Sequence, residues 1–204
     1  MLLRVFQQVK QLKKFLVYIV IDEHVEMFLK MKDLVYAIDE VVKRICECIK
    51  ARKCVYVFGN GGSASQAQHF AAEFVVRFRR ERKGVGLPAI ALTADTSILT
   101  ACSNDYSFDD VFAVQICSLA KAGDILIGIS TSGNSENVIR GFKMGRDIGT
   151  FNIALLGGDG GKIGKAEYID KKITVPAKRT DIIQVGHLFV IHYICNKVEE
   201  FFYG

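Results

Sequence analysis

The stretch Val55-Tyr56-Val57-Phe58-Gly59-Asn60-Gly61-Gly62-Ser63-Ala64-Ser65 carries the reading of the fold. Val55 to Phe58 are β-branched or aromatic, the composition of a buried strand. The glycines behind them let the backbone turn tightly, and Ser63 and Ser65 are of the type that caps a helix start. A strand that passes through such a loop straight into a helix is half of a parallel α/β unit. The same succession recurs downstream, where 125–130 runs into Ser130-Thr131-Ser132-Gly133-Asn134-Ser135. Further β-rich runs at 89–92, 153–156 and 172–175 end near Gly, Ser, Thr, Asp or Pro. Apolar residues at three- and four-residue intervals predict helices over 33–51, 65–82, 107–121, 135–148 and 180–202. The expected architecture is α/β: a three-layer αβα sandwich with a five-stranded parallel sheet, right-handed crossovers and additional N-terminal helices. One domain is expected, with 1–52 a helical arm and 53–204 the α/β core.

Half of the 204 residues are hydrophobic and only two are proline, which suits one well-buried core and is short for two. No repeat or low-complexity linker divides the chain. Six cysteines show no paired CxxC spacing, and three lie in apolar runs, so a reducing, cytoplasmic setting is expected. The apolar run 15–21 is too short to span a bilayer, and Asp22 and Glu23 follow at once. Neither a membrane span nor a signal peptide is expected. A formal net charge of +5 is mild and selects no partner. Its densest patch, Arg77, Arg79, Arg80, Arg82 and Lys83, reads as a solvated helix end where cations complement the dipole. With Phe78 the only aromatic interleaved there, no nucleic-acid partner is expected. Leu2, Phe6, Val9, Leu12 and Leu16 keep helical spacing, with Arg4, Lys10, Lys13 and Lys14 off the stripe. Such a face suits a partner subunit or the body of the domain better than lipid, and it hints at an oligomer.

In an open parallel sheet, ligands bind beyond the carboxyl ends of the strands. The loop Gly59 to Ser65 brings backbone amides and a helix N-terminus to such an end. It also satisfies the loose dinucleotide pattern GxGxxA. A ribose-binding acid would be expected about twenty residues on, at the end of the second strand. Asp95 ends that strand but lies considerably later, so the nucleotide reading is weak. The loop Ser130 to Ser135 has four hydroxyl residues around a glycine and makes a nest for a phosphate monoester without a lysine. Two such loops in one sheet favour a phosphate-bearing small molecule over a pair of ordinary caps. On the helix after the first loop, His69 and Glu73 are four residues apart, on one face and one turn beyond the anion site. The last helix carries Asp181, Gln184, His187 and His192 among apolar neighbours. A lone histidine there is more often a satisfied core residue than a ligand, and HxxxE alone does not establish a metal.

Phe58-Gly59-Asn60-Gly61-Gly62-Ser63 and Gln68-His69-Phe70-Ala71-Ala72-Glu73 resemble the sugar isomerase (SIS) domain in its phosphoheptose isomerase branch. So do Asn104-Asp105-Tyr106, Gly123-Asp124 to Ile129, Ser130 to Ile139, and Gly157 to Lys162. The likeness runs from Cys54 to His192. It implies a flavodoxin-like SIS fold and the conversion of sedoheptulose 7-phosphate to glycero-manno-heptose 7-phosphate through an enediol. That reaction is the first step of nucleotide-activated heptose synthesis for bacterial surface glycans. The positions matching the family's catalytic carboxylate and histidine are Glu73 and His192. Those matching its zinc ligands are His69, Glu73, Gln184 and His192, one Zn2+ per subunit. The loop Asn60, Gly61, Gly62 and Ser63 matches substrate contacts, with phosphate contacts falling on Ser63, Ser130, Thr131, Ser132 and Ser135. Arg77, Asp95, Thr96, Asp181 and Gln184 match other active-site positions. The family also implies a homotetramer with active sites at subunit interfaces. Gln184 and His192 are eight residues apart, about 12 Å of helix rise, a long gap for two ligands of one ion. Either the side chains converge or two subunits share the site, and His187 competes locally. A related SIS branch consists of noncatalytic tetramers that bind the bacterial replication initiator. Its members lack the carboxylate and histidine that Glu73 and His192 match.

Overall fold

The computed structural model describes the backbone of residues 2–204 and the side chains from residue 17 onward. The stripe Leu2, Phe6, Val9, Leu12 and Leu16 therefore lies outside the described side chains. Two helices lead, α1 (Leu2–Met31) and α2 (Val35–Lys50), joined by a 3₁₀ turn at Lys32–Leu34. The core then alternates β1 (Val55–Gly59), α3 (Gly62–Val75), β2 (Ala89–Ala91), α4 (Thr96–Asp105) and α5 (Val111–Leu119). It continues with β3 (Ile125–Ser130), α6 (Glu136–Ile148), β4 (Phe151–Gly157), the short α7 (Gly161–Gly164), β5 (Lys171–Val175) and α8 (Thr180–Tyr203).

The five strands form one parallel sheet in the order β2-β1-β3-β4-β5. Alternation along each strand sends side chains to two separate cores. Val55, Val57, Ile125 and Ile127 join Met27, Ile38, Val41, Phe70, Phe74, Val190 and Ile194 on the face covered by α1, α2, α3 and α8. Tyr56, Phe58 and Leu126 join Phe112, Ile116, Val138 and Phe142 on the other, under α5 and α6. Phe58, Phe70, Phe74, Phe112 and Phe142 are fully buried, each contributing about 1.5–3 kcal/mol by leaving water. On α2, Ile38, Val41, Ile45 and Cys48 recur at three- and four-residue steps and all point inward.

The expected helix over 65–82 is corrected at both ends. It begins at Gly62, with Gly61 at φ +56 as its left-handed entry, and stops at Val75. Beyond it the chain doubles back, Leu87 N donating to Phe74 O at 2.9 Å. The basic patch accordingly lies past the helix end, where Arg77, Arg80 and Lys83 are solvated as expected and Arg79 is half-buried. Arg82 is buried, its Nη1 lying 3.0 Å from Glu199 Oε2 and also donating to Phe74 O, while Nη2 donates to Val85 O. Glu199 supplies the reason the helix stops. Its two oxygens accept the backbone N–H groups of Phe78 and Arg79 at 2.9 and 2.8 Å, taking the place of a further helical turn. The helix expected over 107–121 resolves into a 3₁₀ turn at Phe108–Asp110 followed by α5. Helix α4 was not expected at all; Asp95 caps it by accepting from Ile98 N at 2.9 Å.

Candidate active site

The strand order reverses between β1 and β3, which is where an open parallel sheet opens a crevice at its carboxyl edge. Gly59 pairs in register with Ile129, so the loops after β1 and β3 leave the sheet side by side. Both sequence-selected anion loops meet at this point. In the first, Ser63 is 4% exposed and its N–H donates to Asn60 O at 2.9 Å. In the second, Ser130 Oγ and Ser135 Oγ are 3.2 Å apart, and Gly133 N donates to Ser130 Oγ at 3.1 Å. Ser132 Oγ accepts from Asn134 N at 3.2 Å, and Thr131 is half-buried. Gly133 has φ +63 and packs against Gly160 O so closely that no side chain fits there. The asparagines Asn60 and Asn137 join the two loops by paired amide hydrogen bonds.

A second cluster lies further along α3, where it packs beside α8. The two helices run in the same direction: Gln66 Nε2 donates to Gln184 O at 2.7 Å, His69 meets His192, and Phe78 N meets Glu199. His69 Nε2 and His192 Nε2 are 2.8 Å apart, and His69 Nδ1 lies 3.6 Å from Glu73 Oε1. The Phe78 ring tilts against the His192 ring at 5.6 Å between centroids. Burial lowers the His192 pKa below its ordinary value; the His69 ring pulls in the same direction and the Glu73 carboxylate opposes it. At this distance one shared proton completes a hydrogen bond between the two rings, and both are imidazoles of the donor type that binds zinc once the rings part enough to admit an ion. The fit is partial. Glu73 stands at the other nitrogen of His69, and Gln184 lies against Gly62, where any added side chain would strike its amide. Among the described residues no group of three or more His, Cys, Asp or Glu side chains is spaced to hold an ion. One chain thus offers a pair of converging donors, with Gln184 about 12 Å of helix rise away from His192.

Other sequence-selected residues are placed as follows. Because α3 starts at Gly62, His69 is about two turns beyond the first anion loop and Glu73 about three, not one. Arg77 is exposed, its Nη1 donating to Arg80 O at 3.3 Å. Thr96 opens α4 behind the capping Asp95. Asp181 is exposed and gripped by Arg179, whose nitrogens lie 3.2 and 2.7 Å from its two oxygens; this holds its carboxyl below the usual range. Arg179 also reaches Glu23 of α1 at 2.7 Å. His187 is fully buried and bonded to Leu156 O at 2.8 Å, a core position. Sequence reasoning did not single out Asn137 or Phe78 as site-forming, since each matters only through a neighbour distant in the chain.

Residues 22–157 match the family described as SIS domain. The chain belongs to the SIS domain family, in its phosphoheptose isomerase branch. A phosphoheptose isomerase of Geotalea daltonii is 49% identical to this SIS domain over 164 residues, 80% of this chain and 83% of the relative. Among solved structures, the phosphoheptose isomerase of Neisseria gonorrhoeae superposes with a TM-score of 0.84 at 39% identity, covering 92% of this chain and 98% of that one. That of Francisella tularensis gives 0.85 at 32% identity, covering 93% and 98%.

Proposed function

We propose that this SIS domain interconverts sedoheptulose 7-phosphate and D-glycero-D-manno-heptose 7-phosphate. The observation that carries the reading is Glu73 beside the facing pair His69 and His192, in a sheet whose two switch-point loops are rich in hydroxyl and amide donors. Aldose-ketose isomerisation moves one proton between C1 and C2 and another between their oxygens, with no net redox change. Glu73 takes the C1 proton of the ketose, leaving an enediolate, and returns it to C2 to give the aldose. His192, biased towards its neutral form by burial, passes the second proton between O1 and O2. The phosphate, held by Ser63, Ser130, Thr131, Ser132 and Ser135, supplies remote binding energy that orients the reacting carbons. The product suits the first step of nucleotide-activated heptose synthesis for bacterial surface glycans.

Zinc belongs to the same proposal: His69 and His192 with Glu73 and Gln184 would hold it, and it would supply Lewis-acid polarisation of the substrate carbonyl. The separation of Gln184 from His192 within one chain supports a site shared between subunits of a homotetramer. An apolar face also supports it: Val17, Tyr18, Ile21, Val25 and Phe28 of α1 and Val185 and Phe189 of α8 are all exposed, Phe28 edge-on to Phe189 at 5.6 Å. A cytoplasmic setting is supported by six cysteines that are all free thiols, and no helix of the described residues is long and apolar enough to cross a membrane.

The test is turnover of sedoheptulose 7-phosphate, with and without chelator, by wild type, Glu73→Gln and His192→Ala. The wild type is expected to be active, and each variant to lose about 10²- to 10⁴-fold in kcat. A zinc-supplemented wild type without turnover sinks the isomerase reading, while activity indifferent to chelation sinks the zinc role alone.

A further inference from the structure

Asn60, at the end of β1, and Asn137, in the first turn of α6, face each other across the reversal in strand order. Asn60 Nδ2 donates to Asn137 Oδ1 at 2.8 Å, and Asn137 Nδ2 donates to Asn60 Oδ1 at 2.9 Å. An asparagine in a helix's first turn commonly bonds to nearby backbone. This one reaches instead across 77 residues of sequence, with 2% of its surface exposed. The pairing is mutually orienting, because turning either amide alone would set donor against donor and acceptor against acceptor. Apart from the β1–β3 ladder, no hydrogen bond among the described residues joins residues 60–65 directly to residues 130–135, so this pair ties the first loop to the start of the helix that follows the second.

We infer that Asn137 is a positioning residue of this site: through Asn60 it holds the two anion loops at the separation at which one sugar phosphate reaches both. The inference rests on the phosphate-sugar reading of the site. Asn137 itself does not touch substrate, since its side chain is buried and spends both ends on Asn60. Without it, Asn60 and the loop it belongs to must be ordered by the substrate, so the cost falls on binding and leaves the chemical step alone.

The experiment measures kcat, KM and thermal midpoint for Asn137→Ala, Asn60→Ala and the double variant, with calorimetric titration of sedoheptulose 7-phosphate into each. Two buried neutral hydrogen bonds are lost, so KM and Kd are expected to rise on the order of tenfold in Asn137→Ala, with kcat within about threefold of wild type. In the Asn60→Ala background the same change adds less than about twofold, because the two act as a unit. An unchanged KM beside a lowered thermal midpoint overturns the inference, as do independent, multiplicative effects of the two substitutions. Where Asn137→Ala fails to fold, Asn137→Asp carries the comparison: it keeps the size and the acceptor and loses the donor, and the same rise in KM is expected. A wild type that binds without turnover defeats the isomerase reading and leaves Kd to decide the role of Asn137. A wild type that neither binds nor turns over defeats both.

Discussion

His187 lies one turn from Gln184 on α8, and spacing alone makes it a rival of His192. Its surroundings separate the two. The ring is fully buried, and its Nε2–H donates to Leu156 O, which leaves Nδ1 as an acceptor without a partner. Burial pushes its pKa down from 6.5 to about 4, the bond to Leu156 opposing. The folded protein therefore keeps this ring neutral in a range where the unfolded chain binds a proton. Stability is full above pH 6.5 and falls as pH drops towards 4, by on the order of 3 kcal/mol over the whole range. His187→Gln keeps a donor for Leu156 and loses the linkage, so urea unfolding across that range should give a flatter profile than wild type. At this scale the sequence showed His69 and Glu73 clearly, because four-residue spacing on one helix is a local fact. The choice of His192 over His187 is not local: it depends on which ring meets His69, and that is set by how α8 packs beside α3.

Helix α3 and the chain that follows it illustrate what periodicity can and cannot carry. The Gly59 to Ser65 loop signals that a helix follows, but the expected start at 65 is three residues later than the actual one at Gly62. Its end at Val75 is invisible in the pattern, because Arg77 to Lys83 would be good helix formers on an exposed surface. What ends it is Glu199 of α8, far along the chain, which collects Phe78 N, Arg79 N and the Arg82 guanidinium. Burial alone would raise the Glu199 carboxyl, and these donors together outweigh it and hold it below the usual range. Glu199→Gln leaves Arg82 buried without a counter-charge, and the expected loss is about 3–5 kcal/mol in urea unfolding. Loss of less than about 1 kcal/mol would mean that the segment 76–87 is held by other contacts. The five strands were legible as elements because each is short, β-rich and closed by a turn residue, β5 keeping only Ile173 and Val175 as buried apolar positions. Helix α4 was not, because much of it faces solvent and its apolar spacing is weak.

Across the molecule, the parallel sheet followed from strands alternating with helices, while the strand order that creates the switch point was visible only in the structure; the family comparisons agree with the parallel architecture. The proposed oligomer rested, in the sequence, on a long apolar arm and an awkward ligand spacing alone. If the proposed homotetramer forms through the exposed face of α1 and α8, Phe189→Glu places a charge there, and sedimentation should show smaller species than for wild type. An unchanged assembly would remove that face from the subunit contact. The distance along α8 between Gln184 and His192 has a kinetic corollary. On the proposal that the site is shared between chains, it would obey mass action, so specific activity should fall on dilution while each chain stays folded, and should return on reconcentration. The working enzyme would then be a concentration-dependent species, its abundance setting activity per molecule as well as the total.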